Sequence, residues 1–320
     1  MNQENLLIEL GTEELPPKSL TKLAMSLFDV VKQEIDSADL SYTDAEWFAS
    51  PRRLAVYFSD LQETQKDKVV EKRGPAVNVA FDDEGNPSRA AIGWAKSNGI
   101  EVADAERLVT DKGEWLLHEA TQKGKSISEL VPTIVEKAVS KLPIPKPMRW
   151  GSSRTQFIRP IHTVTMMYGQ DLINGEILGV KSSNVLQGHR FHHHGLLTLD
   201  DAKNYKESLR SAYVIADFNE RKDLIKQGID QAAEELGGNP LMDEALLDEV
   251  TSLVEWPVTL VGTFEEAFLE VPPEPLIYSM KDHQKYFPVT DAQGNLMAKF
   301  IFITNIESKD PNQIVLGNEK

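Results

Sequence analysis

The sequence contains no cysteine. Disulfides, thiolate nucleophiles and cysteine-based zinc sites are therefore outside its chemistry. That usage suits a reducing compartment, and the chain is expected in the cytoplasm. No stretch approaches the roughly 20 apolar residues that a membrane helix needs. The opening residues lack a basic cluster, and Glu9 interrupts the short apolar run Leu6-Leu7-Ile8, so no secretion signal is read there. Also missing are a Walker-type loop, a GxGxxG turn, a GxSxG elbow and an HExxH helix. Met280-Lys281-Asp282-His283 echoes a catalytic loop only superficially.

What is present is an ordinary globular composition, 41% apolar and 26% charged in 320 residues. That length suggests about two domains at roughly 150 residues each. Fifty acidic residues against 34 basic ones give a net charge of −16, which by itself argues against a nucleic-acid binder. The distribution is uneven. Residues 137–170 carry six basic residues and no acid, whereas residues 227–280 carry twelve acids and no Lys or Arg. A polarised molecule could offer RNA one face and repel it with another, or these could be two solvated surfaces.

Hydrophobic patterning predicts an α+β fold: two mixed domains with largely antiparallel or mixed sheets and no Rossmann unit. Residues 1–180 are expected as the first domain, with 66–125 inserted into it, and 181–320 as the second. Strands are expected at 5–10, 53–58, 113–120, 157–168, 258–261 and 299–304. Leu20, Leu23, Leu27, Val31 and Ile35 make one helical stripe behind Pro16-Pro17. A helix over 126–141 is expected to end at Pro143, Pro145 and Pro147, a stiff connector. The clearest helix covers 218–236, opened by a capping-box pattern, Asp217 with Glu220, and stopped at Gly237. Another is expected at 243–254. Residues 312–320 carry no stop signal, so the chain is expected to belong to a longer protein.

Several clusters could carry function. Gly188-His189-Arg190-Phe191-His192-His193-His194 is the densest. In a strand His192 and His194 would share a face as two metal ligands might, but no further ligands are evident. Alternatively His189 and Arg190 flank Phe191, a ring that could stack on an unpaired base. Arg149, Trp150, Arg154 and Arg159 interleave planar cations with a ring, suited to phosphate and base contacts or to a core anchor with ion pairs. Arg52 and Arg53, and Arg73 before Gly74-Pro75, are further basic candidates. Lys281 and Lys285 form the first basic cluster after the acid-rich tract. Glu13 and Glu14 precede a helix, where carboxylates more often favour the dipole than do acid–base work.

Read in order, the segments LLIELGTEELPP, SPRRLAVYF, KRGPAVNVAFD, RAAIGWAKSNGI, KGEWL and MRWGSSRTQFIRPIH resemble the first part of bacterial glycyl-tRNA synthetase β subunits. GHRFHHH, YVIADFNERKDLI, LVEWPVTLVGTF, FLEVPPEPLIYSMKDHQKYFPV, GNLMAKFIFITNI and GNE continue the match, which runs over residues 6–319. A fainter likeness is to the RNA-contacting and editing-like modules of phenylalanyl-tRNA synthetase β chains. The family pattern after Gly-His-Arg-Phe-His favours a proline within two residues. This chain has His193 and His194 there, which speaks against a shared metal site.

The resemblance implies a hetero-oligomer of α and β subunits. The α subunit would carry the class II core that uses ATP and Mg²⁺, and the β subunit would contact tRNA(Gly). An HD-type helical domain and an anticodon-binding domain would follow. No catalytic, cofactor-binding or metal-binding residue is assigned in this chain, consistent with the absence of class I HIGH-type and KMSKS-type signatures and of class II motif arginines. No contact with membrane or DNA is expected. The tRNA-contact candidates are Arg52, Arg53, Arg73, Arg149, Trp150, Arg154, Arg159, His189, Arg190, Phe191, Lys281 and Lys285. Two alternatives stay open: a metal-dependent editing or hydrolase module, and a protein–protein scaffold.

Overall fold

The computed structural model describes residues 2–144, 146–150 and 155–319. It is an α+β protein built on antiparallel sheets. Two compact units arise from contact density: residues 1–63 with 127–320, and residues 64–126.

The larger unit is organised around a five-stranded antiparallel sheet. Its centre is β1 (Gln3–Thr12), flanked by β3 (Arg53–Gln62) on one side and the strand Ile161–Tyr168 on the other, with β2 (Asp44–Ser50) beyond β3. Strand β1 is covered on both faces, which explains its run of large aliphatic residues rather than strict alternation. Leu6, Ile8 and Leu10 point to one face, packed under α1 (Leu20–Ser37) and the helix Ile127–Ser140. The stripe Leu20, Leu23, Leu27, Val31 and Ile35 is wholly buried there. Leu7 points to the other face, where Leu186, Leu199, Tyr205, Leu209 and Val214 cover it with Phe48, Ala55 and Met167. Residues 185–216, on the far side of the boundary expected at 180, thus lie against this first sheet.

That second face changes character along the strands. The paired rows are Leu7 with Tyr57 and Met167, then Glu9 with Ala55 and Thr165, then Gly11 with Arg53 and Thr163. Apolar gives way to charged within two strand repeats. Gly11 is required in the last row, because a Cβ there would lie 2.1 Å from Thr163 Oγ1.

A four-stranded antiparallel sheet follows, ordered 239–240, 287–290, 296–304 and 258–263. The helices Phe218–Glu235 and Glu244–Thr251 cover one face through Ile225, Ile229, Leu247 and Val250. Asp217 caps the first helix, accepting from the Asn219 and Glu220 amides, and Gly237 ends it with φ +69°. The Glu220 carboxylate does not close the reciprocal half of a capping box; it pairs with Arg210. Two strands of this sheet are longer than the patterning predicts, because Gly262 and Leu296 are paired into the ladder by Phe300 and Thr290.

The unit 64–126 is a three-stranded antiparallel sheet, in the order 68–76, 113–122 and 106–110, with the helix Arg89–Ser97 and the short turn Val77–Ala80. Its core is thin: Ala80, Ala91 and Leu116 are buried, with Trp94 and Phe81 beside them. Gly74 is where the chain passes Trp94, since a Cβ would lie 2.7 Å from the indole. Such a small core places this unit among marginally stable substructures.

Candidate functional site

At the polar end of the central sheet three sequence-distant loops meet. The Thr12 amide donates to Arg52 O (2.8 Å), Glu13 N to Pro160 O (3.0 Å) and Leu15 N to Pro51 O (2.7 Å). The loop after β1 is thereby clamped between the β2–β3 turn and the entrance of the strand Ile161–Tyr168. The loop 188–194 closes over the same end.

Beneath lies a buried ionic cluster. Arg53 is 1% exposed. Its guanidinium donates to Glu9 Oε2 (3.1 Å), Ser50 Oγ (3.0 Å), Gln187 O (2.7 Å) and Glu255 Oε1 (3.4 Å). Tyr205 donates its hydroxyl to Glu9 Oε2 at 2.5 Å, and Ser50 donates to Glu255 Oε1 at 3.1 Å. Arg52 reaches Gly188 O (2.6 Å) and Glu255 Oε2 (3.2 Å). Burial acts against the charge on Arg53, but Glu9 and then Glu255 more than restore it, so its pKa is raised. Burial likewise pushes the Glu255 carboxyl up, and Arg53, Arg52 and His189 overcome this to leave it below the ordinary range. Both groups are charged at neutral pH, and each charge is compensated.

A second buried arginine, Arg221, sits in the apolar stripe of its helix between Phe218 and Ile225. It donates to three backbone carbonyls: Thr251 (3.1 Å), Ile215 (2.5 Å) and Ala49 (2.8 Å). Burial lowers its pKa to about 10, with Glu255 opposing that shift. It ties the edge of the first sheet to the helical layer of the second.

The surface of the site is different. Glu13 accepts from His162 Nε2 (2.8 Å) and Arg190 Nη2 (3.0 Å), and Glu14 lies 3.5 Å from Arg190 Nη1. The His162 hydrogen bond and the charge of Arg190 hold the Glu13 carboxyl below its ordinary range, against burial. Arg159 donates to Glu14 O (2.9 Å) and Ile158 O (3.0 Å) and has no carboxylate partner among the described residues. Phe191 stands 59% exposed beside Arg190. The pair Glu13-Glu14, read from sequence as dipole partners or a weak acid–base pair, meets the guanidinium of Arg190, and Glu13 also meets the His162 ring.

The loop presenting Phe191 is braced from within. His189 is buried, and its Nδ1 accepts the amides of Phe191 and His192, both at 3.2 Å. Burial lowers its pKa, partly opposed by Glu255 and Asn305. His189 stacks on His192 (4.7 Å), His192 packs on Tyr213 (5.0 Å), and Tyr213 meets Trp256 edge-on (5.2 Å). Glu307 fastens this column, donating its amide to His192 Nε2 (2.9 Å) and accepting from Trp256 Nε1 (3.1 Å). Residues 190–192 form a turn rather than a strand, so His192 and His194 do not alternate along one extended face. Among the described residues no group of three His, Asp or Glu side chains is placed to hold a metal ion.

The remaining candidates are dispersed. Arg149 is exposed, with Nε and Nη2 at 2.7 and 2.9 Å from the Gln156 amide oxygen once that amide is turned towards it. Trp150 packs on the main core. Arg154 lies outside the described residues. Arg73 belongs to the 64–126 unit and lies over the Trp115 ring at 3.6 Å. Lys281 is paired with Asp243 (2.5 Å) and Lys285 with Glu249 (3.0 Å), beside a cavity of about 430 Å³. Burial moves Arg53 and His189 from the list of surface contacts to the interior, and Arg52 is largely engaged there too. Sequence reasoning missed Glu9, Tyr205, Arg221 and Glu255. A charge inside an aliphatic strand, and another in an apolar helical stripe, were the available signals.

A sequence profile described as glycyl-tRNA synthetase beta subunit matches residues 6–320 of the chain. The chain belongs to that family. Among its relatives, the glycine–tRNA ligase beta subunit of Colwellia psychrerythraea is 66% identical over 320 residues, covering 100% of this chain and 46% of that protein. The beta subunit of Alteromonas mediterranea is 57% identical with the same coverage, 100% and 46%. That of Psychromonas ingrahamii is 58% identical over 321 residues, covering 100% of this chain and 47% of its own. The chain thus spans about half the length of the curated relatives it matches. No helix among the described residues is long and apolar enough to cross a membrane.

Proposed function

We propose that this chain serves glycyl-tRNA synthesis as a tRNA-holding and assembly part of a heteromeric glycine–tRNA ligase. Aminoacylation itself, with its use of ATP and Mg²⁺, would belong to a companion α subunit. Membership of the beta-subunit family supports the process. One observation supports the tRNA-holding role: an exposed ring, Phe191, adjoins a solvent-facing cation, Arg190, on a loop braced from within by His189. Arg190 is oriented by Glu13 and Glu14, and Arg159, without a carboxylate partner among the described residues, donates to the Glu14 carbonyl. Phosphates would set the register on the cations, while an unpaired base would stack on the ring. Such positioning speeds a reaction held elsewhere by converting an encounter into an alignment.

The test uses the full-length subunit assembled with its catalytic partner. Arg190→Ala combined with Phe191→Ala should raise the KM for tRNA(Gly) at least fivefold, with glycine and ATP KM values unchanged. Stacking losses of about 1–3 kcal/mol per base would account for that size. An unchanged tRNA KM and charging rate sinks the assignment.

A further inference from the structure

The second sheet has a face that the helices 218–235 and 244–251 do not cover. Tyr286, Phe300 and Phe302 lie there, with Phe264, Leu276 and Leu296 packed against them. The segment 264–278 crosses it and leaves a groove of about 610 Å³, lined chiefly by Leu241, Leu269, Val271, Leu276, Ile277 and Leu296. Large apolar side chains of this one segment stand open: Phe268 at 52%, Leu269 at 38%, Val271 at 48% and Tyr278 at 59%. Scattered exposed apolar residues mean little, but Leu269 and Val271 line the groove itself, and an apolar groove with open walls marks an interaction surface. Pro272, Pro273 and Pro275 stiffen the segment, so little ordering cost opposes docking.

The rim decides what kind of occupant fits. Glu265, Glu266, Glu270 and Glu274 are all exposed on this segment. The ion pairs among the described residues use none of them, in contrast with Asp243, Asp248 and Glu249 close by in sequence. No Lys or Arg occurs in residues 227–280. Glu270 and Glu274 adjoin the lining residues Leu269, Val271 and Pro273, and exposed carboxylates beside an apolar groove repel phosphate and attract cationic side chains. The geometry points to a docking site for an apolar segment flanked by Lys or Arg on another polypeptide. Resting on the function proposed above, that polypeptide is the catalytic companion subunit.

The experiment measures assembly of the full-length subunit with its companion at low and high salt. Leu269→Glu with Val271→Glu places charge in the groove; Glu270→Lys with Glu274→Lys inverts the rim. Each pair should weaken the assembly Kd tenfold or more. The loss in the rim variant should shrink at high salt, because exposed charges are screened. Tm and tRNA binding of the isolated subunit should stay unchanged. An unaltered Kd overturns the proposal. So does weakened tRNA binding with assembly intact, which makes the groove an RNA surface. A lowered Tm of the isolated full-length subunit would assign the groove to its own chain. Lost self-association with companion binding intact would assign it to a second copy. The tRNA reading fails separately, on the KM of the Arg190 and Phe191 variant, whatever the groove variants do.

Discussion

Arg53 and Arg190 lie at the same end of the central sheet and each meets two glutamates, yet one is sealed inside and the other stands in water. Arg53 occupies the polar row of a sheet face whose other rows are apolar. Its partners Glu9 and Glu255 are as buried as it is, and hydroxyls of Ser50 and Tyr205 complete the network. Around Arg190 the carboxylates are exposed, and the ring beside it is open. A buried pair must be fully compensated because removal of one charge strands the other in a medium that cannot solvate it. An exposed pair orients a side chain at little energetic consequence, which leaves that side chain available to a ligand. The contrast separates residues that build the site from residues that can use it.

Three changes test that contrast. The largest effect is expected from Arg53→Ala, which leaves Glu9 and Glu255 uncompensated and should cost about 3–5 kcal/mol in urea unfolding. A loss under about 1 kcal/mol would erase the distinction. Next comes acid. The Glu255 carboxyl is held below its ordinary value of 4.5, so its contribution is complete above that pH and is lost as pH falls through the lower folded value. Stability should therefore decline on acidification below about pH 4.5, and Glu255→Gln should flatten that slope by up to about 1.4 kcal/mol per pH unit. Identical slopes in the two proteins would show that another group carries the acid response. The smallest effect belongs to Arg190→Ala, expected to change stability by less than about 1 kcal/mol. A loss of 2 kcal/mol or more would mean that Arg190 is structural.

The elements that patterning identified are those whose residues answer to one periodicity. The stripe from Leu20 to Ile35 is buried along its length because helical spacing alone puts those residues on one side. The strand around Leu6–Leu10 was legible as buried from its aliphatic density, although it extends further at both ends, where partners in β3 fix its register. The Ser-Pro-Arg-Arg motif was visible as basic, but nothing local distinguishes a surface arginine from Arg53. Its burial depends on Glu9, forty-four residues earlier, and Glu255, two hundred and two residues later. The histidine run was equally conspicuous, and its meaning was equally remote: buried His189 stacks on His192, which Tyr213 and Glu307 hold in place, with Trp256 behind Tyr213.

By itself the sequence determined the helices with clear stripes, the mixed α+β character, the lack of thiol chemistry and the family resemblance, since these depend on composition, short spacing and motif order. Only the tertiary structure decided which basic residues lie inside and which remain open, and that Glu13 and Glu14 pair with Arg190. It also decided that an apolar groove flanks the second sheet, beside carboxylates that no ion pair among the described residues uses. The reason is the range of the forces. Backbone periodicity acts within a few residues, whereas burial and charge compensation are settled between segments that meet only when the sheets have formed.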